Sequence, residues 1–371
     1  MSRSPLLTPI RMGSLDLPNR VIMAPLTRQR SRQPGNVPYE LNATYYAQRA
    51  AAGLIISEAV QISPEGQGYA WTPGIHSAEQ IEGWKQITQA VHDENGRIFL
   101  QLWHVGRISH PLLQPDGAEP VGPSAIQAKA ECYVQEADGS HHKAPTAKPR
   151  ALATEELPRI VADYAQATRN AIEADFDGVE VHAANGYLLD QFLCSDSNQR
   201  TDAYGGSVEN RVRLVLEVVD AVIAATGDSG RVGIRISPMG TFNGVDDANP
   251  KETFSHLLRE LNSRDLAYVH VNRPDWVGGT YEGFDGLLES LRELYDGKLI
   301  LAGGMTAESG AQAVEDGLAD MIAFGRPYIA NPDLVQRIRA NAPWNTINPA
   351  TLYGGAEVGY TDYPTMEQAA S

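Results

Sequence analysis

Phe176-Asp-Gly-Val-Glu-Val181 runs directly into His182-Ala-Ala-Asn-Gly-Tyr187, a short apolar, β-branched run that ends on polar residues. Such a run fits a buried strand whose polar end leaves the core. Seven more runs share its character: Val21-Ile-Met23, Leu54-Ile-Ile56, Ile98-Phe-Leu100, Val232-Gly-Ile-Arg-Ile236, Tyr268-Val-His-Val271, Leu299-Ile-Leu301 and Met321-Ile-Ala-Phe324. Helical spacing fills the gaps. From Thr154 to Ala174, Thr154 is placed to cap, Glu155 and Glu156 suit the positive end, and Ile160, Tyr164, Ala167 and Ala171 make an apolar stripe. Ser207 opens another helix, with Val212, Val215, Leu216, Val219 and Val222 on one face. Eight strands alternating with helices predict an α/β fold with a parallel sheet, and the count predicts closure into a (β/α)8 TIM barrel, a doubly wound sheet being the alternative.

A chain of 371 residues can bury one large α/β domain or two smaller ones, and the alternation favours one domain over 1–371. Two segments depart from the repeat. Ile10-Arg-Met-Gly-Ser-Leu-Asp-Leu17 reads as a hairpin turning at Gly13-Ser14, suited to plugging the bottom of a barrel. His104 to Arg150 carries Pro111, Pro115, Pro120, Pro123, Pro145 and Pro149, six of 23 prolines, and follows the third strand. A long insertion at the catalytic end of a barrel strand reads as a lid, or else as a mobile surface excursion. Within it Cys132-Tyr-Val-Gln135 and His141-His-Lys143 are placed to pair as a hairpin.

The formal net charge of −16, without a block of basic residues, disfavours nucleic acid and anionic membrane as partners. Cys132 and Cys194 are too few for a disulfide framework or a four-cysteine metal site, which points to a reducing compartment. Met1-Ser-Arg-Ser-Pro lacks an apolar h-region, and no segment approaches the roughly 18 apolar residues of a membrane span. A cytoplasmic enzyme, monomer or homodimer, is the expectation.

Barrel chemistry sits just past the strands. There the chain places Ala24-Pro-Leu-Thr27, Glu58-Ala59, Gln101-Leu-Trp-His104, His182 with Asn185 and Tyr187, Arg235, Ala302-Gly-Gly304, and Gly325-Arg326. His182 and Asn185 offer two donors for one ligand oxygen, with the Tyr187 phenol nearby as a proton donor; a β-to-α turn capped by the same residues is the alternative. Glycines at 303, 304 and 325, each ahead of a helix, let backbone N–H groups approach a phosphate, and Arg326 adds charge. With the Gln101 amide and the Arg235 cation, the interior suits a flat ring with carbonyl and N–H edges, which describes flavin mononucleotide (FMN). Arg235 could instead neutralise a buried carboxylate. His270 reads as a barrel-layer residue, and His141 and His142 as solvated lid residues rather than metal ligands. GxGxxG, Walker A, HExxH and GxSxG patterns are missing, and no strand ends on a Lys that could form a Schiff base.

The chain resembles the Old Yellow Enzyme family of FMN-dependent ene reductases over nearly its whole length. The resemblance rests on Asn19-Arg-Val-Ile-Met-Ala-Pro-Leu-Thr27, Gln101-Leu-Trp-His104, His182-Ala-Ala-Asn-Gly-Tyr187, Asp190-Gln-Phe-Leu193, Arg200-Thr-Asp-Ala-Tyr-Gly-Gly-Ser-Val-Glu-Asn-Arg211 and Phe324-Gly-Arg326. It implies noncovalent FMN, with Thr27 at the O4 and N5 edge, Gln101 and Arg235 on the pyrimidine, Pro25 and Ala59 against the ring, and Gly303, Gly304, Gly325 and Arg326 on the phosphate. It implies that His182 and Asn185 grip the substrate oxygen, Tyr187 donates the proton, and Tyr69, Trp103 and Tyr353 line the substrate pocket. The implied activity is NAD(P)H-dependent, ping-pong reduction of the activated C=C bond of an α,β-unsaturated carbonyl or nitro compound. Reduction of nitroesters or nitroaromatics at the same site is the alternative. A non-redox barrel lyase or isomerase would explain the fold and the His but not Gln101, Arg235 and the phosphate turns together, and a noncatalytic flavin sensor would be yellow without turning over alkene with NAD(P)H. The purified protein is expected to be yellow and to release FMN on heating or acidification, as absorbance and chromatography of the supernatant will report; recovery of FAD or a covalent flavin would contradict this.

Overall fold

All eight apolar runs become strands of one closed parallel barrel in the computed structural model, which describes residues 4–136, 138–274 and 283–370. The strands are β1 (Val21–Met23), β2 (Leu54–Gln61), β3 (Ile98–Trp103), β4 (Gly178–Ala183), β5 (Val232–Ile236), β6 (Tyr268–Asn272), β7 (Leu299–Ala302) and β8 (Met321–Phe324). Each pairs with the next in parallel, and β8 closes onto β1. Every residue of every strand is buried, which is why the runs read as continuously apolar rather than alternating.

Alternation survives in which face each residue serves. Val179, Val181, Ile234, Val269 and Leu301 join the large core under the helices, whereas Ile22, Leu54, Ile56, Phe99, Tyr268, Ile300 and Met321 fill the barrel interior. Strand period 2 then turns Gln101, Glu180, His182, Arg235, His270 and Asn272 inward as well. Their registers agree: Glu180 lies beside Gln101, His182 beside Arg235, and Arg235 beside His270. Toward the strands' C-terminal ends the interior is therefore polar on β3–β6, above an apolar layer that includes Phe99 and Tyr268. A bulge in β2 between Ile56 and Ala59 re-aims that strand so that Ala59 faces Gln101.

The expected hairpin forms from Ile10–Met12 and Leu15–Leu17, and its Ile10, Met12 and Leu17 pack among the lower interior residues. The Ser14 amide donates to Gly230 O at 3.1 Å, fixing the plug beneath β5. Ser207 caps the helix Val208–Thr226 as anticipated. Thr154 does not cap: it begins a 3-10 turn, its hydroxyl donates to Asp202, and the α-helix proper is Leu157–Glu173. The Glu156 carboxylate instead accepts from the Ala153 amide and takes the capping role.

The 104–150 excursion is ordered over its described residues. Val121–Gly122 pairs with Arg150–Ala151 at its base, and Glu131–Gln135 pairs antiparallel with His141–Pro145 as the inner hairpin. That hairpin leans on the loop after β2, where Ala70 N donates to Tyr133 O at 2.7 Å.

Gly233 shows how tightly the lower layer is filled. A Cβ there would lie 2.3 Å from Cζ of the buried Tyr268 ring. Gly233→Ala is expected to destabilise the fold by roughly 1–3 kcal/mol, the usual range for overpacking; urea unfolding of the FMN-loaded protein measures it, and an unshifted midpoint would mean the ring has room to move.

Candidate active site

The top of the barrel is divided between polar and small residues. β3–β6 contribute Gln101, His182, Arg235 and Asn272, whereas Ala24, Ala59, Ala302 and Ala323 lie at or near the ends of the other four strands, with the smallest side chain that still has a Cβ. Small residues on one wall and hydrogen-bonding groups on the other leave a slot for a flat ring with one polar edge.

A buried hydrogen-bonded network lies under the polar wall. Gln101 Nε2 donates to Glu180 Oε1 at 2.7 Å, and His270 Nδ1 lies 2.8 Å from Glu180 Oε2. Burial alone would raise the Glu180 carboxyl, but His270 and Arg235 overcome it and hold the group below its usual range. Glu180 is thus a buried carboxylate that His270 and, more weakly, Arg235 stabilise in its charged form, and the Arg235 Nε is buried without a partner.

His182 is buried, and burial, with Arg235 and His270 adding to it, drives its pKa well below the ordinary 6.5. Its ring is neutral at neutral pH, and Nδ1 is buried without a partner. Trp103 stacks nearly parallel to it, with centroids 6.5 Å apart, and Tyr187 meets it edge-on at 5.1 Å.

Asn185 follows at φ 59°, a left-handed conformation that asparagine tolerates better than most residues. Its backbone is held on both sides: the amide donates to Ser237 Oγ at 2.7 Å, and the carbonyl accepts from Asn243 Nδ2 at 2.9 Å. Asp190 accepts from both Gly186 N and Ser237 Oγ, at 2.8 and 3.2 Å. The Asp190-Gln-Phe-Leu193 motif therefore fixes the turn that displays Asn185 and Tyr187.

The Tyr187 hydroxyl lies 3.2 Å from that of Tyr69, which stacks on Trp103. Burial pushes the Tyr187 phenol up to about 12. Tyr353 is 61 % exposed. His104 and Glu58 do not join them: His104 turns to Glu65, and Glu58 to Tyr46.

On the far rim, Pro25 and Thr27 are half-buried after β1. Gly303 and Gly304 take φ of 111° and 60° after β7, values that disfavour any side chain. Gly325 begins the short helix Arg326–Ala330 after β8, and a Cβ there would lie 3.4 Å from Leu26, so these turns adjoin the β1 end. The unpaired buried nitrogens of His182, Arg235 and Trp103, the alanine wall and the glycine turns fit FMN.

Comparison with known proteins agrees. The model of the NADH:flavin oxidoreductase / NADH oxidase family matches residues 5–345. The chain belongs to the Old Yellow Enzyme family. Among its relatives, 12-oxophytodienoate reductase 1 of Oryza sativa subsp. japonica is 46% identical over 369 residues, covering 98% of this chain and 94% of its own. Morphinone reductase superposes with a TM-score of 0.95 at 53% identity, covering 100% of this chain and 98% of its own. The Old Yellow Enzyme homologue from Zymomonas mobilis superposes with a TM-score of 0.91 at 43% identity, covering 97% and 99%. Like its family, the chain is an FMN-dependent enzyme that reduces C=C bonds of unsaturated compounds with NAD(P)H.

Sequence reasoning missed the supporting residues of this Old Yellow Enzyme site. Glu180, Asn272, Ser237 and Asn243 each touch a predicted site residue or its backbone. A signal existed for two of them: Glu180 and Asn272 sit two residues from His182 and His270, the strand period that shares a face. The motif from Arg200 to Arg211 is a staple. Arg200 donates to Pro123 O and Leu152 O at the base of the excursion, and Arg211 to Leu193 O, Asp247 and Thr253.

His182 should stay neutral from pH 8 down to pH 6.5, because a depressed pKa favours the uncharged ring throughout that window. Histidine NMR of wild type against His182→Ala checks this; a His182 signal with a midpoint at or above 6.5 would contradict the burial of the ring.

Proposed function

We propose that the chain reduces α,β-unsaturated carbonyl or nitro compounds, with His182 and Asn185 binding the activating oxygen and Tyr187 supplying the proton. The observation that carries this reading is the convergence of a neutral, buried imidazole with an unpartnered nitrogen, an asparagine on a rigid turn, and a protonated phenol beside both. When bound, FMN supplies the hydride for the alkene after taking one from NAD(P)H. Gln101 and Arg235 would hold its pyrimidine edge, Thr27 the opposite edge, Pro25 and Ala59 its faces, and Gly303, Gly304, Gly325 and Arg326 its phosphate.

The chain's own groups act on the substrate. Two donors aimed at one oxygen stabilise the negative charge that grows there as the β-carbon is reduced, and they are set before the reaction begins. A phenol at about 12 remains protonated at neutral pH and can still protonate a carbanionic α-carbon. Trp103 and Tyr69 wall the substrate space, Tyr353 stands at its entrance, and the 104–150 excursion covers its side by resting on the Tyr69 loop. A nitro group presents the same kind of acceptor oxygen, so nitroesters and nitroaromatics form the second class to test.

Phenols supply the test, because converging donors favour the phenolate and lower its apparent pKa. Titrating the FMN-loaded enzyme with a phenol should raise a long-wavelength charge-transfer band that strengthens as pH rises toward neutrality. His182→Ala should abolish the band and slow enone reduction about 10²–10³-fold. If the FMN-loaded variant retains both, His182 is a turn residue and the assignment is wrong. Tyr187→Phe should slow only the alkene half-reaction in stopped-flow, and equal slowing of both halves would remove it from the donor role.

A further inference from the structure

Asn272 stands at the C-terminal end of β6, 2% exposed, in register with Ala302. Arg235 Nη2 donates to its Oδ1 at 2.9 Å, and its Nδ2 donates to Asn185 Oδ1 at 3.1 Å. The direction of this chain is forced. A guanidinium carries N–H donors and no acceptor, so the Asn272 atom against it must be the oxygen. The Asn272 NH2 then faces Asn185, which can meet it only with its own oxygen. What Asn185 has left to offer a ligand is its NH2.

We propose that Asn272 is a positioning residue that relays the charge of Arg235 into a fixed donor face on Asn185, selecting substrates whose activating group is a pure acceptor. The inference rests on the reading of His182 and Asn185 as the oxygen-binding pair and adds the device that gives that pair its polarity. The need for such a device is physical. Ser237 and Asn243 hold only the Asn185 backbone, and the terminal torsion of an asparagine is broad and roughly two-fold. Turned over, the amide would aim an acceptor at the substrate oxygen and oppose the charge that develops there. With Asn272 in place, carbonyl, nitro and phenolate oxygens are favoured, and a ligand presenting an N–H at this position is disfavoured.

Two near-isosteric variants test the relay. In Asn272→Asp the side chain can accept from Arg235 but has no NH2, so Asn185 turns its own NH2 toward the carboxylate and its oxygen toward the ligand. In Asn272→Leu the Asn185 amide loses its guide. Binding of 4-chlorophenol to the FMN-loaded protein, read from the charge-transfer titration, should weaken on the order of 10- to 100-fold in Asn272→Asp, the range for one hydrogen bond to a charged group. A smaller loss is expected in Asn272→Leu. The deciding comparison repeats both changes in an Asn185→Ala background. There the orienting effect has nothing to act on, so Asn272→Leu should cost nothing further and Asn272→Asp should keep only its direct repulsion. Unchanged phenol binding in both single variants, or equal losses with and without the Asn185 amide, would overturn the inference. Failure of Asn185→Ala itself to weaken binding would instead overturn the oxygen-binding reading beneath it.

Discussion

Arg235 is a guanidinium shut inside a barrel, and the upper interior is arranged around that fact. Burying a charge is costly unless it is paired and hydrogen-bonded. Desolvation lowers the Arg235 pKa, with the Glu180 carboxylate opposing it, and Asn272 takes one of its N–H groups. Those partners must come from adjacent inward positions, so the polar residues gather on β3–β6 and leave the other four strands to alanine and aliphatic side chains. The same cation contributes to the depressed pKa of His182 and the lowered pKa of Glu180. Burial and His270 act on the same two groups, and the cation adds to both.

A fixed electrostatic pattern is useful only on a fixed backbone. The loops at the top of the barrel are tied by long side chains that reach backbone carbonyls. Gln191 donates to Val105 O and Gly186 O, at 3.0 and 2.8 Å, joining the turn after β4 to the one after β3. Arg28, next to Thr27, donates to Leu352 O and Gly359 O, and Arg30 to Thr351 O and Ala356 O. These two arginines clasp the C-terminal segment that carries Tyr353. Each tie satisfies carbonyls that a loop would otherwise leave to water.

The barrel was legible because its strands are buried on both faces and stand out as apolar runs, and the N-terminal hairpin because Gly13-Ser14 punctuates it. Site residues at strand ends followed from the architecture. The glycine turn after β7 could be read because positive φ at Gly303 and Gly304 favours glycine. Thr154 misled because a cap is defined by backbone geometry, and its hydroxyl had a distant partner in Asp202 that no local pattern displays. Asn272 and Glu180 act through cross-strand register, which a single strand does not carry. The 104–150 excursion, rich in proline, owes its order to pairings with residues far from it in the chain, such as Ala70 with Tyr133.

The pKa values in the site diverge in a direction that matters for the proposed chemistry. His182 is pushed down and Tyr187 up to about 12, so both remain uncharged across neutral pH. A protonated imidazole would place a second cation beside Arg235, at a cost that grows in low dielectric. A neutral imidazole still donates one hydrogen bond, and so does the Asn185 amide. The donors themselves then carry no titrating charge of their own as charge develops on the substrate oxygen. Fixed, uncharged donors in a water-poor slot respond to that charge without reorganising, which is where electrostatic preorganisation is most effective. Neutrality of the donors and burial of a compensated cation behind them are thus two parts of one arrangement.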